Sequence, residues 1–148
     1  MKKHALTILG MASLFFVLGA SATPATSIEL WANIPFEFMA GDQMLPAGTY
    51  DVTHLGDAHP VLRIQNQNGD HGGAIVRASI SQPANTGRTT RLVFQRYGDR
   101  YFLSQIWTAR RSGGYVLLKS NRELEIAREL AAKGTPAPEV VSVAASVP

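Results

Sequence analysis

Residues 91–107 restrict the fold open to this chain more than any other stretch. Arg91–Tyr97 and Arg100–Trp107 are two runs rich in β-branched and aromatic residues, joined by Gly98-Asp99. A two-residue link containing glycine makes a tight hairpin and fixes its register. In an unbroken register Phe94 meets Leu103 and Arg96 meets Tyr101. That face also holds Leu92 and Trp107, whereas the opposite face holds Val93, Tyr97, Phe102 and Ile106 among Arg91, Gln95 and Ser104. Both faces are partly apolar. Such a hairpin must be covered twice, by a second sheet or barrel wall on one side and by a helix or a partner on the other.

The rest of the chain supplies more strands. From Ile28 to Phe38 apolar and other residues alternate without a break, the pattern of a strand with one buried face. Pro35 lacks an N–H for the ladder and predicts a sheet edge or a bend there. Gly41-Asp42 predicts a turn, and Leu45-Pro46-Ala47-Gly48 fits a type I turn leading into a strand over Thr49–Leu55. Val61–Asn66, the Asn68-Gly69 turn and Ala74–Ile80 follow as a second hairpin, then Ser81–Thr89 as a loop rich in small residues. Val116–Lys119 is one more short strand.

Ser120-Asn121-Arg122-Glu123 is a capping box that starts a helix over about residues 121–133, with Gly134 placed to end it. Leu124, Ala127, Leu130 and Ala131 make its apolar stripe, and Glu125 with Arg128 or Glu129 with Lys133 supports its polar side. From Thr135 onward no core pattern is visible, so residues 135–148 are expected to be a mobile tail. The fold expected is all-β, a mostly antiparallel sandwich or partly open barrel of about seven or eight strands, with one C-terminal α-helix. A single domain over residues 23–134 contains it.

Composition agrees with one folded domain: 148 residues, 45% hydrophobic and 17% charged. With no cysteine, a disulfide scaffold, a thiolate zinc site and a cysteine nucleophile are all excluded. Lys2 and Lys3, the apolar run Ala5–Ala20 and the small-x-small site Ala20-Ser21-Ala22 predict a signal peptide over residues 1–22 and a periplasmic or extracellular protein. The apolar run of roughly sixteen residues is shorter than a bilayer-spanning helix, so no membrane span is expected in the mature chain. An outer-membrane barrel fits poorly with short strands, two apolar faces and a terminal helix.

Removing the two lysines lowers the net charge from +3 to +1, so no nucleic-acid partner is expected. Charge is uneven along the chain: residues 23–75 hold Arg63 against six carboxylates, and residues 76–111 hold seven arginines against Asp99. An arginine-rich face for an acidic partner such as nucleic acid or an anionic polysaccharide is one reading; the simpler and preferred arrangement offsets the two halves across strands of one sheet.

The stretches Ile34-Pro35-Phe36-Glu37-Phe38, Leu45-Pro46-Ala47-Gly48-Thr49-Tyr50 and Arg96-Tyr97-Gly98-Asp99-Arg100-Tyr101-Phe102-Leu103-Ser104, with the Ser120–Leu130 helix, resemble a family of short exported bacterial proteins of unknown function. The resemblance covers most of the mature chain; it implies shared architecture and supplies no site. The Leu-Pro-Ala-Gly-Thr-Tyr stretch is also similar to a turn in prealbumin-like and carbohydrate-associated β-sandwich modules.

Few chemistries find their residues here. His54, Asp57 and His59 could converge at one end of a hairpin as metal ligands for a small metal-dependent hydrolase. His71 would sit at the other end, roughly 20 Å away, against ligand distances near 2 Å for zinc. No Gly-x-Ser-x-Gly or Ser-x-x-Lys motif is present, and Ser104 sits between hydrophobic neighbours as a pleat-filling residue. Glu29 and Glu37 are too far apart along one strand to act as a catalytic pair. Gly72-Gly73 and Gly113-Gly114 lack the lysine of a phosphate loop.

No catalytic residue and no cofactor is therefore predicted. What remains is an arginine and aromatic surface formed by Arg96, Tyr97, Arg100, Tyr101 and Trp107, suited to a protein or carbohydrate partner. The simpler role for Arg96 and Tyr101 is a cation–π pair that holds the hairpin. Association with a second copy of the chain is left open.

Overall fold

The computed structural model describes residues 28–56, 60–69, 72–82 and 89–148. The expected signal segment, Asp57, His59 and His71 lie outside them. Ten strands and one helix run in the order β1 (Ile28–Ile34), β2 (Phe38–Ala40), β3 (Gln43–Leu45), β4 (Gly48–Leu55), β5 (Val61–Asn66), β6 (Gly73–Ser81), β7 (Arg91–Tyr97), β8 (Arg100–Trp107), β9 (Gly114–Leu117), α1 (Asn121–Ala132) and β10 (Glu139–Ala144). The fold is all-β with one helix, as expected. It has more strands than expected, because Pro35 cuts one predicted strand in two, Gln43–Leu45 forms a short strand between two predicted turns, and the predicted tail contains another.

Eight of the strands close on themselves. Antiparallel pairings run β1–β4–β5–β6–β9–β8–β7–β10. The circuit is completed where Trp31 and Ser146 exchange N–H···O bonds of 2.8 and 2.9 Å. β6 turns one corner by pairing with β5 over Gly73–Arg77 and with β9 over Ala78–Ser81. Inside the ring, Leu30, Ile34, Phe38, Tyr50, Val52, Leu62, Ile64, Leu92, Phe94, Ile106 and Tyr115 are almost completely buried.

The expected mobile tail is thus corrected: residues 139–144 are a wall of the ring. Val141, Val143, Ala145 and Val147 pack against the core. Two-residue alternation of small apolar side chains was their strand signal, but without large residues it does not stand out from a tail.

Pro35 marks a change of direction. β1 pairs with β4 as far as Ile34↔Gly48, after which the chain leaves that ladder and Phe38 and Met39 pair in parallel with Tyr101 and Phe102 of β8. Alternation continues through the corner because Ile34, Phe36 and Phe38 all face the core. The β2–β3 hairpin turns at Gly41, whose φ of +60° suits glycine. Tyr50 then reaches back across the Leu45–Thr49 turn, its hydroxyl donating to the Pro46 carbonyl at 2.7 Å. This bond resembles the tyrosine corner of β-sandwiches.

The β7–β8 register holds from Tyr97↔Arg100 to Phe94↔Leu103 and then slips by one, with Val93 opposite Gln105. Ser104 is the extra residue of the bulge, and its hydroxyl donates to the Val93 carbonyl at 3.0 Å. The slip corrects the expected faces beyond it. Ile106 joins Leu92 and Phe94 in the core, and Trp107 turns outward opposite Arg91.

The opposite face of the hairpin is covered by α1, where Ile126, Ala127 and Leu130 pack on Met39, Tyr97 and Phe102. The Ser120 hydroxyl caps the helix by accepting from the Glu123 N–H at 3.2 Å. Lys133 pairs with Glu129 at 2.6 Å. Two members of the expected apolar stripe differ: Leu124 is 37% exposed and Ala131 is exposed, while Ile126 takes the inner position. The reason is Glu123, which turns inward to the β7 network described below and rotates the buried face of the helix toward Ile126.

Among the described residues the two charged halves form no ion pair with each other: the pairs present are Arg96–Glu139, Lys119–Glu123 and Lys133–Glu129, none of which joins residues 23–75 to residues 76–111. Tyr50→Phe, which removes one buried hydrogen bond and leaves the ring in place, should cost about 1–2 kcal/mol in denaturant unfolding. A loss under a few tenths would contradict the role given to this corner.

Candidate functional site

The five residues expected to form one surface occupy three places. Arg96 and Tyr101 are register partners, and the guanidinium carbon lies 5.5 Å from the centre of the Tyr101 ring. Arg96 also donates from Nε to the Gly98 carbonyl at 2.8 Å and from Nη1 to Glu139 at 3.2 Å. Phe36 stacks on Tyr101 with centroids 3.9 Å apart and planes 16° from parallel, and meets Phe94 edge-on at 5.1 Å. Phe36 and Arg96 therefore already take up the stacking capacity of Tyr101.

Tyr97 is only 5% exposed and is shut beneath α1, which corrects its expected surface position. Its hydroxyl lies 2.9 Å from Gln95 Oε1 and 3.1 Å from Glu123 Oε1, and it accepts from Lys119 Nζ at 3.1 Å. Lys119 also reaches Gln95 at 3.3 Å and Glu123 at 3.7 Å. Burial raises the pKa of Tyr97 above its ordinary value. Burial likewise raises that of the Glu123 carboxyl, although Tyr97 and Lys119 both favour its charged form. The Tyr97 hydrogen bond is the main cause that raises Lys119. This network anchors the helix.

Trp107 lies six residues along β8 from Tyr101, roughly 20 Å at strand spacing. It is flanked by its register partners Gly114 and Arg91. A methyl group on Gly114 would fall 2.2 Å from a ring carbon, so only glycine lets the indole lie across β9. The Arg91 guanidinium is 5.9 Å from the ring centre, and Nε1 donates to Gln105 at 2.9 Å.

Arg100 lines a cleft of about 250 Å³. Phe36, Met44 and Tyr101 form its apolar walls, and Glu37, Asp99, Arg100 and Arg122 are its charged lining. Met44 is 51% exposed. The cleft gathers the β1–β2 corner, β3, the β7–β8 turn and the first turn of α1. Arg100 and Tyr101 were legible as candidates because they adjoin the turn. Phe36, Glu37, Met44 and Arg122 were missed, since each is ordinary within its own segment and only the fold brings them together.

A second cleft, of about 280 Å³, lies by the β8–β9 connection, lined by Arg110, Arg111, Ser112 and Tyr115. Arg111 donates to the Tyr115 hydroxyl and lies 5.5 Å from its ring centre. Burial and then Glu29 raise the Tyr115 pKa. The His54 imidazole stacks on the same ring at 5.8 Å. Among the described residues no three histidine or carboxylate side chains are grouped to hold a metal ion. No helix of the described residues is long and apolar enough to cross a membrane.

Compared with known proteins, the chain matches no family model, no curated protein and no solved structure.

The raised pKa of the Glu123 carboxyl makes the stability of the fold depend on pH. Because its pKa is raised on folding, the folded state holds the proton more tightly than the unfolded chain. Its favourable contribution is present below the unfolded value of about 4.5 and is lost as pH rises through the folded value. Glu123→Gln, fixed in the neutral form, should therefore gain stability relative to wild type as pH rises above about 4.5. Unfolding curves that run parallel across that range would contradict the assignment.

Proposed function

We propose that this chain is an exported, non-catalytic β module that binds a partner in the cell envelope or outside the cell, and that the partner is a protein. The cleft at the hairpin end is the observation that carries the proposal. It offers an exposed methionine beside Phe36 and Tyr101, with two arginines and two carboxylates around them. An adaptable apolar centre with a mixed-charge rim is the anatomy of a protein hot spot. A carbohydrate reader would instead present an uncovered aromatic face. Tyr101 is stacked on Phe36 and approached by Arg96, and Trp107 is flanked by Gly114 and Arg91.

Export rests on the Lys2–Ala22 sequence pattern. The non-catalytic reading rests on the absence of a nucleophile–base motif in the sequence and on the tying of Ser104 to the Val93 carbonyl.

Affinity capture from envelope and culture-fluid extracts tests the proposal, comparing the wild-type chain with Met44→Asp and Arg100→Glu. Each substitution should lower recovery of one defined protein by about tenfold, as expected for a hot-spot contact. Equal recovery by all three chains contradicts the cleft as the site. Saturable binding to a glycan array that is lost in the same variants would replace the protein by a carbohydrate.

A further inference from the structure

The seams of the ring are unequal. β10 meets β7 over six register pairs, from Glu139↔Arg96 to Ala144↔Arg91, but among the described residues it pairs with the β1 strand only through the Trp31–Ser146 bridge. β7 is paired along its length with β8, and β1 with β4. Lifting β10 away therefore breaks no other ladder. It would uncover a slot between β7 and β1 floored by Leu92 and Phe94, which are at most 1% exposed in the closed ring. Burying that floor again requires a strand with small apolar residues at alternate positions.

The tether to β10 holds two prolines in four residues. After α1 the chain passes Gly134, at φ +68°, and then Thr135-Pro136-Ala137-Pro138, all exposed or half-buried. The two prolines donate no N–H and hold φ near −65°, which favours an extended path. Such a tether can carry the strand away from its own body as readily as back along it.

We propose that Glu139–Ala144 is an exchangeable strand, and that its alternative site is the same β7–β1 slot of a second copy of this chain, so that two copies associate by reciprocal exchange. A second copy is the occupant because the slot already fits this sequence. Val141, Val143, Ala145 and Val147 face its floor, Ser142 faces away, and Glu139 pairs with Arg96. Closed monomer and exchanged dimer then contain the same contacts and differ only at the tether and in the entropy of association. Their balance follows protein concentration. The exchange is independent of the cleft, which lies at the β2–β3 side of the hairpin.

The chain has no cysteine, so placed thiols report the exchange directly. Ser142 and Val93 are Cα partners, within the range that a disulfide bridges. Two full-length chains of different tag length, one carrying V93C and the other S142C, are mixed over a range of concentrations and oxidised. A disulfide-linked heterodimer that rises with concentration is expected, together with a concentration-dependent dimer of the unmodified chain by light scattering. The V93C/S142C double variant at low concentration should form the bond within one chain, which shows that the substituted strands still pair. The proposal is overturned if the heterodimer does not exceed the twofold excess over either homodimer that random pairing of equal amounts gives, or if the unmodified chain remains monomeric throughout. A dimer that forms without the Val93–Ser142 link also overturns it, because its interface lies elsewhere.

Discussion

The two apolar faces of the β7–β8 hairpin are the constraint on which the rest of the molecule depends. One face carries Leu92, Phe94, Leu103 and Ile106 and is buried by the curled sheet. The other carries Tyr97 and Phe102 and is buried by α1 and Met39. A sheet with one face in water could not hide both. The ring supplies cover inside and the helix supplies it outside.

The helix cover also introduces the buried polar group that needs the most support. Glu123 is 4% exposed, and an isolated carboxylate there would be costly. Tyr97 and Lys119 surround it, and no buried side-chain nitrogen or oxygen among the described residues lacks a partner. Docking α1 in this orientation also fixes Arg122, the neighbour of Glu123, on the lining of the cleft. Packing of the hairpin and construction of the candidate site are therefore one event.

Much of this was legible in local residues. Gly98-Asp99 placed the hairpin, Arg96 opposite Tyr101 followed from its register, and Ser120 and Gly134 bounded the helix. The need for two-sided cover followed from apolar residues on both faces. Other features depend on information that a local pattern does not hold. Ser104 looks like any pleat residue until its bulge moves Ile106 inward and Trp107 outward. Pro35 bends the chain without interrupting alternation, so a change of strand partner is invisible in the sequence. Residues 139–147 lack large side chains because Phe94 and Leu92 supply the bulk beneath them. The cleft draws on four separate segments, and no spacing rule connects Met44 to Arg122.

Closure of the ring by β10 is the central claim, and hydrogen exchange measured peptide by peptide tests it most directly. Backbone amides of residues 139–144 should be protected along with those of 91–107, because β10 completes the wall that covers the inner face of the hairpin. Exchange of 139–144 at the rate of an unstructured peptide, with 91–107 still protected, would contradict the account.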